Sequence, residues 1–142
     1  IEDPHNLGSI LRVAECAGVS GVIIPKHRAV SVNETVAKVS AGAVTRVKVA
    51  RVTNINDEIK RLKEMGVFVF VADMDGDSMY KTNLTGDIAL VVGSEGFGVS
   101  ELTRKLADGI ISIPMFGKIN SLNASVSAGI VTYEAIRQRK GF

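Results

Sequence analysis

Apolar and polar positions change period several times along the chain, and each change marks an element. In LGSILRVAECAG (7–18), Leu7, Ile10, Leu11, Ala14 and Ala17 share one helical face, Arg12 projects from the polar side, and Gly18 ends the run. GVIIP (21–25) is a short apolar run of strand type, and Ser31 and Glu34 stand at capping-box spacing at the head of a predicted helix, SVNETVAKVSAGAV (31–44). RVKVARV (46–52) alternates as a strand does, and INDEIKRLKEMG (55–66) has helical spacing. VFVFVAD (67–73) and DIALVVG (87–93) are apolar enough to be strands buried on both faces. VSELTRKLADG (99–109) is predicted to be a helix closed by Gly109, IISIPM (110–115) the last strand, and a helix from about Ser121 to Arg139 closes the chain.

Strands that alternate with helices and are apolar throughout predict an α/β fold, a parallel sheet covered by helices on both faces. In open sheets of this kind ligands bind beyond the carboxyl ends of the strands. Three polar or glycine-rich turns follow strands there: ADMDGDS (72–78), GSEGFGVS (93–100) and PMFGKINSLN (114–123). They are the places to look for chemistry.

Composition narrows the class. A chain of 142 residues, 46% of them hydrophobic, is one domain's worth of sequence and needs no disulfide staple to bury a core. Its single cysteine, Cys16, cannot form an internal disulfide and fits a reducing, cytoplasmic setting. His5 and His27, the two histidines, have no neighbours at metal-ligand spacing, so no metal is expected. No run reaches the length of a membrane span, which predicts a soluble protein. The net charge is only +2, but basic residues gather in PKHR (25–28), TRVKVAR (45–51) and RQRK (137–140). With two tyrosines, five phenylalanines and no tryptophan there are few platforms for stacking bases, so any nucleic acid would be held mainly by phosphate contact and shape. The opening stretch EDPHN normally follows a strand, and the chain is expected to be a fragment whose first strand, and any upstream domain, lies outside it.

Each candidate stretch also has an ordinary structural explanation. Gly93, Gly96 and Gly98 follow a strand and precede a helix, but their G-x-x-G-x-G spacing is not that of a dinucleotide fingerprint, and no Gly-Lys-Ser/Thr completes a phosphate loop. A turn needing positive φ would account for them, with Glu95 as the loop's one charged side chain. Asn6 can serve as a helix cap and Arg12 as a solvated cation, while Ser121 or Asn123 can bond the free amides of the final helix. The decision rests on their joint occurrence.

In this order, DPHNLGSILRVAECAG, LVVGSEGFGVS and IPMFGKINSLNASVSAGIVTYEAIRQR resemble the three motifs of the SpoU, or TrmH-like, RNA ribose 2′-O-methyltransferases. The resemblance covers nearly the whole chain. DPHNLG, VIIPK and RVTN are most similar to the branch that modifies a guanosine of 23S ribosomal RNA, with transfer RNA as the alternative substrate. It implies that residues 1–142 are the catalytic domain, that S-adenosylmethionine is bound in a deep C-terminal trefoil knot, and that the protein is a homodimer. The matching positions assign Gly93, Ile113 and Leu122 to the cofactor, and Asn6, Arg12, Glu95, Ser121 and Asn123 to the polar functional set. Ala124 and Ser127 stand where the family pattern favours Val and Ala, both small changes.

Methyl transfer requires an in-line nucleophile, and a ribose hydroxyl is a poor one until its proton leaves. In the family the arginine matching Arg12 is given the base role. A guanidinium keeps its proton, and a nearby phosphate strengthens that tendency. Arg12 is better suited to clamp the phosphate beside the target ribose and to stabilise negative charge on the attacking oxygen. Glu95 could orient Arg12 or Asn6, or accept the proton itself. Two rivals remain: a dinucleotide-dependent oxidoreductase, which lacks an acidic strand end about 20 residues past the glycines, and a non-catalytic RNA-binding subunit of the same fold.

Overall fold

The computed structural model describes residues 4–26, 42, 46–93, 98–119 and 121–142, with Pro4 and His5 described by their backbone alone. The chain divides into two compact units, Ile1–Ile55 and Asn56–Phe142.

In the first unit, helix α1 runs Pro4–Ala17. Proline opens it at no cost, because its ring presets φ and the first helical amide needs no partner. Leu7, Leu11 and Ala14 recur at helical spacing and are buried with Ile24 and Val47, with Val22 and Val49 packed against them. Burying Leu7 and Leu11 contributes about 1.5–3 kcal/mol each. Strands β1 (Val22–Pro25) and β2 (Val49–Val52) pair in parallel, Val22 with Val49 through Pro25 with Val52. The helix predicted over 31–44 lies outside the described residues, apart from Gly42.

The second unit is built on three parallel strands, β3 (Phe68–Ser78), β4 (Ile88–Val92) and β5 (Gly109–Ser112), in the order β4-β3-β5. One face of the central strand is buried and the other partly so, where its continuous apolar run predicts burial on both. Val69 and Val71 on one face are inaccessible to solvent. Phe70 and Ala72 on the other pack with Ile88, Leu90 and Ile111 against Val131 and Ala135 of the last helix, α4 (Ala124–Lys140). That helix is fastened to the chain ahead of β4 by Gln138: its Oε1 accepts from the Leu84 amide at 2.8 Å and its Nε2 donates to the Thr82 carbonyl at 3.0 Å. Helix α2 (Ile55–Glu64) precedes β3, and α3 (Glu101–Leu106) precedes β5.

Several boundaries differ from the sequence reading, and three of the differences have a visible cause. Gly109 does not close a helix; it opens β5, and α3 stops at Leu106. The cause is Asp108, whose carboxylate accepts from the Val69 amide at 2.7 Å while its own amide donates to the Val69 carbonyl at 2.7 Å, drawing the chain into the ladder. The last helix starts at Ala124 rather than Ser121, because Asn123 is extended (φ −52°, ψ 143°) and caps it. The ADMDGDS stretch is not a turn after a strand but an excursion within one. Ala72 and Asp77 both pair with Ile111, so Asp73–Gly76 leave the ladder and the chain returns to register.

Candidate functional site

The carboxyl ends of β3, β4 and β5 lie at one edge of the sheet. Ala72 is flanked by Val92 on one side and Ile111 on the other. Gly93 follows Val92 directly, and Ile113 lies two residues beyond Ile111, so these two assigned cofactor residues stand on either side of β3, about 10 Å apart by two strand spacings. Gly93 is glycine for a steric reason. A Cβ there would come within 2.5 Å of the Gly98 carbonyl carbon, so the two ends of the glycine loop touch through backbone, and Gly98 itself adopts φ +64°. Glu95, inside that loop, lies outside the described residues. Ile113 is half-buried against the Met79, Leu84, Ile111, Val131 and Ala135 cluster, while Leu122 is 40% exposed.

Between β5 and α4 the chain is irregular, and its last residue before the helix sets the corner. Asn123 Oδ1 accepts from the amides of Ser125 (2.9 Å) and Val126 (3.3 Å) and from the Ser125 hydroxyl (2.6 Å). The polar character of that turn is therefore explained in part by capping. Ser121 is exposed two residues earlier. In the first unit Asn6 is not the cap that sequence alone allowed. It lies inside α1, two residues past Pro4, and is only 5% exposed. Arg12 is exposed on the same helix, six residues on and so about 240° around it from Asn6. The two side chains leave different faces of α1.

One group at the sheet edge went unread. Arg104 on α3 reaches Asp73 Oδ2 with Nη1 and Asp75 Oδ2 with Nη2, both at 2.5 Å, and Glu101 lies 3.9 Å from its Nε. The hydrogen bond to Asp75 is the largest influence on the Arg104 pKa and, with the charges of Asp75, Asp73 and Glu101, raises it against the opposing effect of burial. The residues are 31 and 29 positions apart, so no short motif exposes the pairing. Its only trace in the sequence is the acidic D-x-D of a turn expected to be polar anyway.

Of the three basic groups, Arg46, Lys48 and Arg51 are exposed around β2, and Lys26 is exposed at the end of β1, with His27 and Arg28 outside the described residues. At the end of α4, Arg137 is paired with Glu134 at 2.7 Å, and Arg139 donates to the Gly86 carbonyl. Among the described residues no group of His, Cys, Asp and Glu is arranged to hold a metal ion, and no helix is long and apolar enough to cross a membrane.

Comparison with known proteins gives a consistent result. The profile of the SpoU rRNA methylase family matches residues 1–133. A TrmH-family tRNA/rRNA methyltransferase relative from Staphylococcus haemolyticus is 51% identical over 141 residues, covering 98% of this chain and 56% of the relative. The 23S rRNA (guanosine-2′-O-)-methyltransferase RlmB of Xanthomonas campestris is 46% identical over 142 residues, covering 99% and 57%. The chain thus spans little more than half the length of the curated relatives it matches. Among solved structures, the SpoU methyltransferase AviRb of Streptomyces viridochromogenes, in complex with AdoMet, superposes with a TM-score of 0.89 at 32% identity, covering 99% of this chain and 58% of that one. The TrmH/SpoU tRNA modifying enzyme of A. aeolicus gives 0.90 at 29% identity, covering 99% and 72%. With its parallel sheet, its glycine loop and a profile match over nearly its whole length, this chain belongs to the SpoU rRNA methylase family.

Proposed function

We propose that residues 1–142 form the catalytic domain of an S-adenosylmethionine-dependent RNA ribose 2′-O-methyltransferase acting on a guanosine of 23S ribosomal RNA. The observation that carries this reading is the backbone contact of Gly93 with Gly98 at the carboxyl edge of a parallel sheet, beside Ile113, in a chain of this family. The residues present fit the cofactor. A glycine whose missing Cβ lets two backbone segments meet, and apolar side chains at Ile113 and Leu122, suit an adenine and a methionine moiety held largely by main-chain groups. When bound, the cofactor supplies a methyl group activated by a positive sulfonium.

This chain's residues supply the rest. Arg12, exposed and permanently charged, holds the phosphate next to the target ribose and stabilises negative charge on the 2′-oxygen. It is not the base, since a guanidinium beside phosphate keeps its proton. Glu95, the one carboxylate of the glycine loop, is assigned either to take the hydroxyl proton or to orient Arg12 or Asn6. Asn123 fixes the corner from which Ser121 and Leu122 extend. In the same reading the C-terminal segment is threaded as a trefoil knot and the protein works as a homodimer. Transfer RNA is the alternative substrate, supported by the likeness to the A. aeolicus tRNA modifying enzyme.

The test is direct. Calorimetry on the full-length protein should give binding of S-adenosylmethionine and none of NAD. Labelled methyl should then pass to a 23S fragment, to the ribose of a guanosine, faster than to transfer RNA. NAD binding with no response to S-adenosylmethionine would refute the proposal, and preferential labelling of transfer RNA would replace its substrate.

A further inference from the structure

The glycine loop leads into α3, and α3 is too short to hold itself in place. Six residues make under two turns, well below the length at which helix propensity sustains structure in water. Its position depends on anchors. Ser100 caps it by accepting from the Thr103 amide at 3.2 Å, and the buried Thr103 hydroxyl donates to Asn56 Oδ1 at 2.6 Å. Arg104 supplies the third anchor, and its acceptors are placed unlike the others. Asp73 directly follows Ala72, the residue flanked by the ends of β4 and β5, and Asp75 lies in the excursion that follows. That excursion is in turn locked to β5. A Cβ on Gly76 would lie 2.5 Å from the Ile110 carbonyl carbon, and Ser112 Oγ donates to the Gly76 carbonyl at 2.9 Å. One guanidinium, 20% exposed, therefore joins the helix that follows the glycine loop to the β3 excursion, which is itself held against the β5 segment that precedes Ile113.

We propose that Arg104, clasped by Asp73 and Asp75, is a positioning residue that sets the spacing between the Gly93–Gly98 loop and the Ile113 side of the pocket, and thereby sets cofactor affinity. The inference rests on the pocket assigned under Proposed function. The geometry demands arginine. Its planar fork serves two carboxylates at once, whereas a lysine ammonium can favour one at a time. Without the cation, Asp73, Asp75 and Glu101 repel one another across the gap and the excursion moves away from α3.

Full-length protein carrying Arg104→Met, Arg104→Lys or Asp75→Asn tests this by two readouts. One is calorimetric affinity for S-adenosylmethionine, read with KM and kcat. The other is amide hydrogen exchange over 98–106 in the cofactor-free protein, which needs no ligand. Arg104→Met should weaken affinity by about tenfold or more, with kcat at saturating cofactor within about threefold of wild type. Exchange over the loop exit and α3 should quicken. Arg104→Lys should fall between, and Asp75→Asn, at a side chain 60% exposed and safe for folding, should show a smaller loss of affinity. Adding Asp73→Asn and Asp75→Asn to Arg104→Met should recover part of the affinity by removing the repulsion. Unchanged affinity in both Arg104→Lys and Asp75→Asn, with a wild type that binds, would overturn the clasp. So would an unchanged cofactor KM with a raised KM for RNA, which would make Arg104 a substrate contact. A wild type that binds no S-adenosylmethionine would instead overturn the pocket assignment itself, and the exchange readout would show that difference.

Discussion

Asn123 and Arg12 show how differently single residues can be read. Asn123 caps α4 through two amides and a hydroxyl, so Asn123→Ala should cost about 1 kcal/mol of stability by denaturant titration, and Asn123→Asp should restore it. If Asn123 also serves turnover, Asp will restore the fold without the rate; a rate that returns with stability would leave it a cap alone. For Arg12 the expected outcome runs the other way. It is exposed on α1 and no packing depends on its tip, so Arg12→Ala should abolish most methyl transfer while S-adenosylmethionine affinity stays near wild type. Arg12→Lys should keep part of the activity. Full activity in Arg12→Ala would refute the clamp. The cap was legible because a polar turn precedes a helical run. The capping role that sequence allowed for Asn6 falls away because Pro4 opens the helix two residues sooner. The Arg104 partners were not legible at all, since proximity across 31 residues is a product of the sheet's register.

At the scale of elements, every described segment predicted as helix or strand forms that type over at least part of its length, because each carries a periodic or continuous apolar pattern. The boundaries fail where a tertiary bond outweighs local preference. Asp108 pulls Gly109 into β5, and the excursion at Asp73–Gly76 exists because β5 receives β3 twice at Ile111. Helix α4 carries a buried polar knot of its own. Glu134, buried on the face that meets the sheet, accepts from Arg137 at 2.7 Å and from Gln138 Nε2 at 2.7 Å. The Arg137 hydrogen bond first, then Gln138, hold its pKa below the ordinary 4.5 against the opposing effect of burial. A depressed carboxylate pKa adds stability that is fully present above the unfolded value and disappears as pH falls through the folded one. Glu134→Gln should therefore be less stable than wild type near neutral pH, and the gap should narrow over the acidic range as pH falls through and below 4.5. Urea unfolding of both proteins across that range checks it; a gap independent of pH would mean that packing, not charge, carries the difference.

For the whole molecule, the apolar residues of the first and last helices are unevenly used. Those of α1 are spent inside the first unit, where Leu7, Leu11 and Ala14 are buried with Ile24 and Val47. On α4 a surplus remains. Ala124, Ala128, Val131 and Ala135 face inward, yet Val126 and Tyr133, with Leu122 just ahead of the helix, are 49%, 47% and 40% exposed. Val126 and Tyr133 fall along one side of α4 at i and i+7, the spacing of a second apolar stripe, with Leu122 just ahead of it. An amphipathic helix with two apolar stripes has a use for a second surface, and the family reading names it as another copy of this chain. The wild-type protein should then sediment as a dimer at micromolar concentration. Val126→Glu with Tyr133→Glu should shift it to monomer, because two carboxylates meeting their own copies across a two-fold interface would be buried unpaired. Circular dichroism should show the same helix content in both, as neither residue belongs to the inward face. A wild type that sediments as a monomer, or a variant that remains a dimer, would place the subunit contact elsewhere and leave the outer stripe of α4 to a different partner.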